Sequence, residues 1–181
     1  MFLCERTDVK YDLNRVLTEW ENIQNSVKWY RDTQTALQFA EGNECPYTDP
    51  CGSFTNRVSE NVNREQDIQQ IVPDYKGTIF ENIMNEWGAY RTRVLCRKKQ
   101  TTYTVHTDVN HVRFHLALVT NDTCYVVYPQ KEKLFHIPAD GYVYRMNTHE
   151  PHTVMNCGED RYHLVWGSRE VEEMGLRYAG Y

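Results

Sequence analysis

All seven histidines of this 181-residue chain lie between His106 and His163. The first stands in an H-x-D triplet, His106-Thr107-Asp108, and a second histidine group, His149 and His152, follows downstream. Residues two apart on a strand point to one face, so His106 and Asp108 reach a common ion while Thr107 points away. Either later histidine would complete a set of two imidazoles and one carboxylate. That set holds a ferrous ion on one face and leaves its other positions open. The same donors suit zinc, but no separate general base stands at a useful spacing for hydrolysis. Arg161, nine residues past His152, adds a planar guanidinium that matches a carboxylate two-pronged.

Such a site needs a scaffold that brings distant residues together. Residues 8–23 place Leu13, Val16, Leu17, Trp20 and Ile23 at helical spacing, with Asp8 as N-cap. Residues 35–39 read as a strand. Residues 41–57 hold two prolines and two glycines among polar residues and read as a long loop that could close over a site. Residues 61–70 are polar, loop or exposed turn. A second amphipathic helix spans 78–87, with Ile79, Phe80, Ile83, Met84 and Trp87 on one face, and Gly88 ends it. The period then changes to two. Strands are expected at 91–96, 103–106, 113–120, 124–128, 133–137, 141–146, 152–155 and 161–166, separated by Asn, Asp, Gly and Pro turns. Two helices followed by about eight short strands predict a mainly β protein, a barrel or sandwich core backed by N-terminal helices.

The length suits one domain over 1–181, helical and looped through residue 90 and β-rich over 91–170. A net charge of −5 gives no basic face for nucleic acid, and no apolar run approaches the ~20 residues needed to span a bilayer. The N-terminus turns charged after four residues, unlike a secretory signal. The six cysteines form no CxxC pair, and the chain has core enough to fold without staples. Free thiols in a reducing cytoplasm are expected, with Cys45 and Cys51 the only pair near enough in sequence to suggest a loop staple.

The pattern HTD…RFHLAL…GYVYRMN…HTVMN…DRYHLVW resembles the Fe(II)- and 2-oxoglutarate-dependent dioxygenases of the double-stranded β-helix (jelly-roll, cupin-like) fold. It looks closest to the aspartyl/asparaginyl β-hydroxylase-like branch, which includes bacterial proline hydroxylases. The resemblance covers residues 91–166. It implies His106, Asp108 and His152 as metal ligands, because His152-Thr153-Val154-Met155-Asn156 fits the H-x-V-x-N strand and His149-Glu150-Pro151 does not. Pro151 also favours a turn at His149. By the same resemblance Arg161 anchors 2-oxoglutarate, His115 supports that co-substrate and Arg113 faces the substrate, Arg113 and more weakly Arg93 being candidates to grip a substrate carboxylate, although the R-x-H pair follows His106 more closely than in the β-hydroxylases proper. The chain keeps Asp108, which animal members of the branch have lost. That points toward microbial small-molecule or amino-acid hydroxylases and away from halogenases.

The implied reaction uses Fe(II), 2-oxoglutarate and O₂ to hydroxylate an amino acid or amino-acid side chain, a peptide included, releasing succinate and CO₂. The rival from another class is a non-catalytic cupin-like domain that binds a metal or ligand. The remaining histidines have plainer readings: His111 in a solvated loop, His136 facing solvent, His163 beside Arg161 in the barrel. For Tyr103 and Tyr142 the reading is aromatic packing.

Overall fold

A computed structural model describes residues 2–52, 65–108 and 112–169. Strand β1 (Cys4–Lys10) opens the chain, and helix α1 (Leu13–Ile23) follows. The helix expected from residue 8 therefore begins later. Residues 6–10 alternate between half-buried and exposed, with Thr7 and Val9 facing inward, and β-branched residues at a period of two favour a strand. Asp12, not Asp8, caps the helix, accepting the backbone N–H of Asn14 at 3.0 Å and of Arg15 at 3.3 Å.

Two short strands, β2 (Gln34–Ala36) and β3 (Gln38–Phe39), occupy the strand expected at 35–39. Residues 41–52 form no helix or strand, and the rest of the expected 41–57 loop lies outside the described residues. Strand β4 (Gln70–Ile71) pairs with β3. Helix α2 (Ile79–Glu86) is capped by Thr78, whose hydroxyl accepts the Phe80 N–H at 3.2 Å.

The core then follows as β5 (Ala89–Arg97), β6 (Thr101–Thr102), β7 (Val112–Val119) and β8 (Cys124–Tyr128). After these come β9 (Lys133–Phe135), β10 (Tyr142–Asn147), β11 (Thr153–Asn156) and β12 (Arg161–Ser168). One sheet has the order β1-β10-β7-β12-β5-β2 and a second the order β6-β11-β8-β9, all pairs antiparallel. From β5 to β8 the chain alternates between the two sheets, and it does so again from β9 to β12. This winding is the mainly β, jelly-roll double-stranded β-helix, backed by two helices.

Alternation along the large sheet separates two chemistries. On its outer face Val94, Phe114, Leu116, Leu118, Val143, Leu164 and Trp166 pack with Val16, Trp20, Phe80 and Ile83 of the helices. The inner face meets the small sheet through Ala117, Val126, Tyr128, Met146 and Val154, but much of its remainder is basic. Near one end, Arg93 pairs with Val165 and Tyr90 with Gly167, so β5 carries one residue more than β12 over the same span. Arg91 sits in this bulge with φ of 51° and donates its N–H to Ile68 O at 2.8 Å. Gly167 opposite is required by close approach, because a methyl there would collide with the Tyr90 ring.

Phe114 lies under Trp87, with ring centroids 4.6 Å apart, and stacks on Trp166 at 5.9 Å. Truncating it empties the layer between sheet and α2. Phe114→Ala should lower the unfolding free energy by about 3–5 kcal/mol, read from urea denaturation; a loss below about 1 kcal/mol would mean that this layer is not close-packed.

Candidate metal centre

His106 and His152 are joined by an isolated antiparallel bridge. Each donates its backbone N–H to the other's carbonyl, at 3.0 and 2.9 Å. Residues directly opposite in such a pair present their side chains on the same face, and the two imidazole centroids are 4.6 Å apart. His106 was expected on a strand over 103–106. Regular pairing of β6 stops at Thr102; the Tyr103 N–H to Val154 O at 3.2 Å and then the bridge carry His106 onward to His152. Asp108, two residues further, is held by its N–H to Thr148 O at 2.8 Å.

One ligand atom from each of His106, Asp108 and His152 lies within 4.8 Å of the others. His106 Nε2 is 3.8 Å from Asp108 Oδ1. Both imidazoles are oriented by the backbone: His106 Nδ1 meets Thr104 O at 2.9 Å, and His152 Nδ1 meets Glu150 O at 3.0 Å. A carbonyl only accepts, so each Nδ1 carries the proton and each Nε2 lone pair is free for a metal. Burial holds His152 below the usual imidazole range, with the neighbouring His106 adding to this against the Glu150 carbonyl. The neutral form is the ligating one. The donor set therefore fits a divalent ion. His149 is exposed and outside the group, its turn placed by its N–H to Asn147 Oδ1 at 3.1 Å.

Behind the triad lies the basic inner face. Arg113 Nε is 3.5 Å from Asp108 Oδ2. Arg113 Nη2 also donates to Glu65, whose other carboxylate oxygen takes Arg91 Nη1. Glu65 and Arg91 carry no sequence signal for this role, because Glu65 arrives from a polar segment and the bulge re-aims Arg91. His115 is buried, its ring 5.8 Å from that of His163. Burial, then the charges of Arg161, His152, Arg113 and Arg93, push His115 well below its ordinary range. It thus stands within electrostatic reach of both the triad and Arg161.

Arg161 is buried too, and burial lowers it to about 10. Its Nε donates to His163 Nε2 at 2.7 Å, and Nη2 contacts Nδ1 of the same ring. His163, fully buried, is held far below its usual range by burial and by Arg161; a neutral ring can accept from the guanidinium and fix its plane. Arg97, not singled out from the sequence, faces Arg161 directly across the strand pair and stacks on the Tyr103 ring. The signal for it was parity: Arg93 and Arg97 are four apart on β5 and share its inner face. His136 is half-buried and meets Cys124 O at 3.0 Å instead of facing solvent. Tyr142 is covered by Arg6 and Lys10, at 4.3 and 4.8 Å. His111 lies outside the described residues.

No protein-family model matches the sequence, and no curated protein does. Solved structures share the fold. An oxidoreductase of the 2OG-Fe(II) oxygenase family from Burkholderia pseudomallei is 17% identical with a TM-score of 0.52, over 83% of this chain and 75% of that one. A Pseudomonas putida prolyl-4-hydroxylase is 12% identical with a TM-score of 0.51, over 92% of each chain. At these identities the likeness establishes the jelly-roll fold, and chemistry has to be argued from the residues.

Losing an outer partner of a metal ligand typically costs 10–100-fold in affinity, so losing a ligand should cost more. In anaerobic Fe(II) titrations, His106→Ala, Asp108→Ala and His152→Ala should each weaken binding by about 100-fold or more, and His149→Ala should bind as the parent does. Unimpaired binding by any of the first three would remove that residue from the site.

Proposed function

We propose that the chain is an Fe(II)- and 2-oxoglutarate-dependent dioxygenase that hydroxylates an amino acid or amino-acid side chain and releases succinate and CO₂. The observation that carries this reading is the oriented His106–Asp108–His152 group, with both Nε2 atoms free, beside a buried strip leading through His115 to Arg161. Fe(II) and 2-oxoglutarate, when bound, supply oxidative decarboxylation and an oxygen atom for a substrate C–H bond.

The protein's part is to hold and orient. His106, Asp108 and His152 are the metal ligands. Arg161, its plane set by His163, receives the far carboxylate of 2-oxoglutarate. His115 stays neutral and lies along the co-substrate. Arg113, beside Asp108, faces the substrate and is held in place by Glu65. Retention of Asp108 supports a small-molecule or amino-acid hydroxylase of the aspartyl/asparaginyl β-hydroxylase-like branch, which includes bacterial proline hydroxylases. The six cysteines are free thiols, which fits the cytoplasm, and no helix among the described residues is long and apolar enough to cross a membrane.

The test is spectroscopic. Anaerobic addition of Fe(II) and 2-oxoglutarate should give the weak visible charge-transfer band of a metal-bound 2-oxo acid, lost in Asp108→Ala and His152→Ala; its absence from the parent protein overturns the proposal. Arg161→Ala should keep the fold and the metal but raise the 2-oxoglutarate concentration needed for half-maximal succinate release about tenfold or more, since a hydrogen bond to a charged group is worth about 1.5–3 kcal/mol. An unchanged requirement would remove Arg161 from that role.

A further inference from the structure

One thiol of the chain lies against the basic inner face of the large sheet. Two successive turns lead to it, the Asp49 N–H meeting Cys45 O and the Cys51 N–H meeting Thr48 O, both at 3.0 Å. Cys51 is 0% exposed, and its S–H donates to Tyr47 O at 3.3 Å. The residues on either side of it hold two arginines. Arg91 Nε donates to Pro50 O at 3.1 Å and Arg91 Nη2 to Gly52 O at 2.6 Å. Arg93 Nη1 donates to Gln34 Oε1 at 3.2 Å, and the Gly52 N–H holds that same oxygen at 3.0 Å. Both guanidiniums are thus tied to the segment Pro50-Cys51-Gly52.

The surroundings are rich in cations. Arg91, Arg93, Arg97, Arg113 and Arg161 are none of them more than 8% exposed. Among the described residues two carboxylates pair with members of this group: Glu65 with Arg91 and Arg113, and Asp108 with Arg113. Arg93 is in no ion pair among the described residues, and its Nε is buried without an acceptor. The charged groups that act on it are Arg113, of like sign, then Cys51, and after it Asp108. A buried guanidinium with an open N–H favours an anion at its side. Within Pro50-Cys51-Gly52 the thiol is the one side chain able to become an anion.

Neighbouring cations favour the thiolate, which is the reactive form of cysteine. The other buried thiols stand in different company. Cys96 donates to the Asp160 carboxylate at 3.9 Å, and burial raises it. Burial raises Cys124 as well. Cys51 alone is bracketed by two carbonyls that each hold a guanidinium.

We infer that Cys51 is a site of reversible oxidation, taken by hydrogen peroxide to a sulfenic acid whose anion is received by Arg93 Nε with Arg91 alongside. The sulfur attacks one oxygen of peroxide and the O–O bond breaks. The departing hydroxide takes the thiol proton and leaves as water. Sulfur loses two electrons and peroxide gains them. Two equivalents of a small thiol reverse the step, giving back Cys51, the disulfide of the reductant and a second water. The site does not depend on the dioxygenase reading, because peroxide from solution supplies the oxidant.

The test uses the full chain without added metal, so that peroxide is the one oxidant present. Reduced protein is treated with a slight excess of hydrogen peroxide, quenched with catalase and denatured in dimedone, and labelled peptides are quantified by mass spectrometry. Cys51 should be labelled about tenfold faster than Cys96 and Cys124, and dithiothreitol given before the dimedone should erase its signal. Arg93→Gln should slow labelling of Cys51 about tenfold, and Arg93→Lys should keep part of the rate as a point charge. A merely structural role for Arg93 predicts the opposite sign, because a loosened turn would expose the thiol and speed its oxidation. Peroxide should also lower the melting temperature of the parent no more than that of Cys51→Ser, since the new acid meets a waiting cation.

Labelling of Cys51 only in protein unfolded before peroxide is added would overturn the inference. So would a rate no faster than that of Cys96, or an equal or faster rate in Arg93→Gln. A fall in melting temperature of several degrees that needs Cys51 would overturn it too, because it would mark an acid buried without a partner. The comparison among thiols of the parent decides the matter even if the arginine variants do not fold.

Discussion

The two-way backbone hydrogen bond between His106 and His152 sets how far apart the open ends of the small sheet can stand. His106 follows only the two-residue strand β6, and His152 precedes β11, so neither belongs to a long ladder. The bridge is the point at which chain segments far apart in sequence are held in register, and register decides which face every side chain takes. With that register the two imidazoles share a face, and Asp108 comes round to them. A slip of one residue would send one ring to the opposite face. The carbonyls of Thr104 and Glu150 then complete the arrangement by choosing which nitrogen of each ring remains open.

The large sheet meets a harsher constraint. Its outer face is apolar and covered by the two helices, and this is where most of the stabilising burial lies. On the inner face five arginines and two histidines sit in a space with few carboxylates. Arg93, Arg97 and Arg161 are each lowered to about 10, with burial the largest cause in every case. Like charges set directly across an antiparallel pair, as Arg97 and Arg161 are, oppose folding. A face of that kind persists because the apolar layer behind it offsets the expense. Arg91, held in a left-handed conformation within a bulge, is a local case of the same exchange: backbone strain is accepted so that its side chain meets Glu65.

Much of this was legible in the residues. The change of hydrophobic period from helical to alternating after Gly88 marked where the β core begins, since a side-chain period of two is a local property of extended backbone. The H-x-D triplet and the parity of Arg113 with His115, and of Arg161 with His163, followed from the same rule. Local rules misread the N-terminus, because an edge strand with one half-buried face and the first turns of a helix both tolerate a mixed sequence there. Pairing with β10 decided in favour of β1.

What the sequence determined by itself was the inventory and its facing: mainly β, two amphipathic helices, a candidate triad, and basic residues of one parity. Tertiary structure decided what those residues meet. Glu65 reaching Arg91 and Arg113, Arg97 opposite Arg161, and Arg93 left with only Gln34 depend on strand order, a bulge and a crossing between sheets. These are contacts between segments distant along the chain, and no periodicity within a segment encodes which partner will lie across from it.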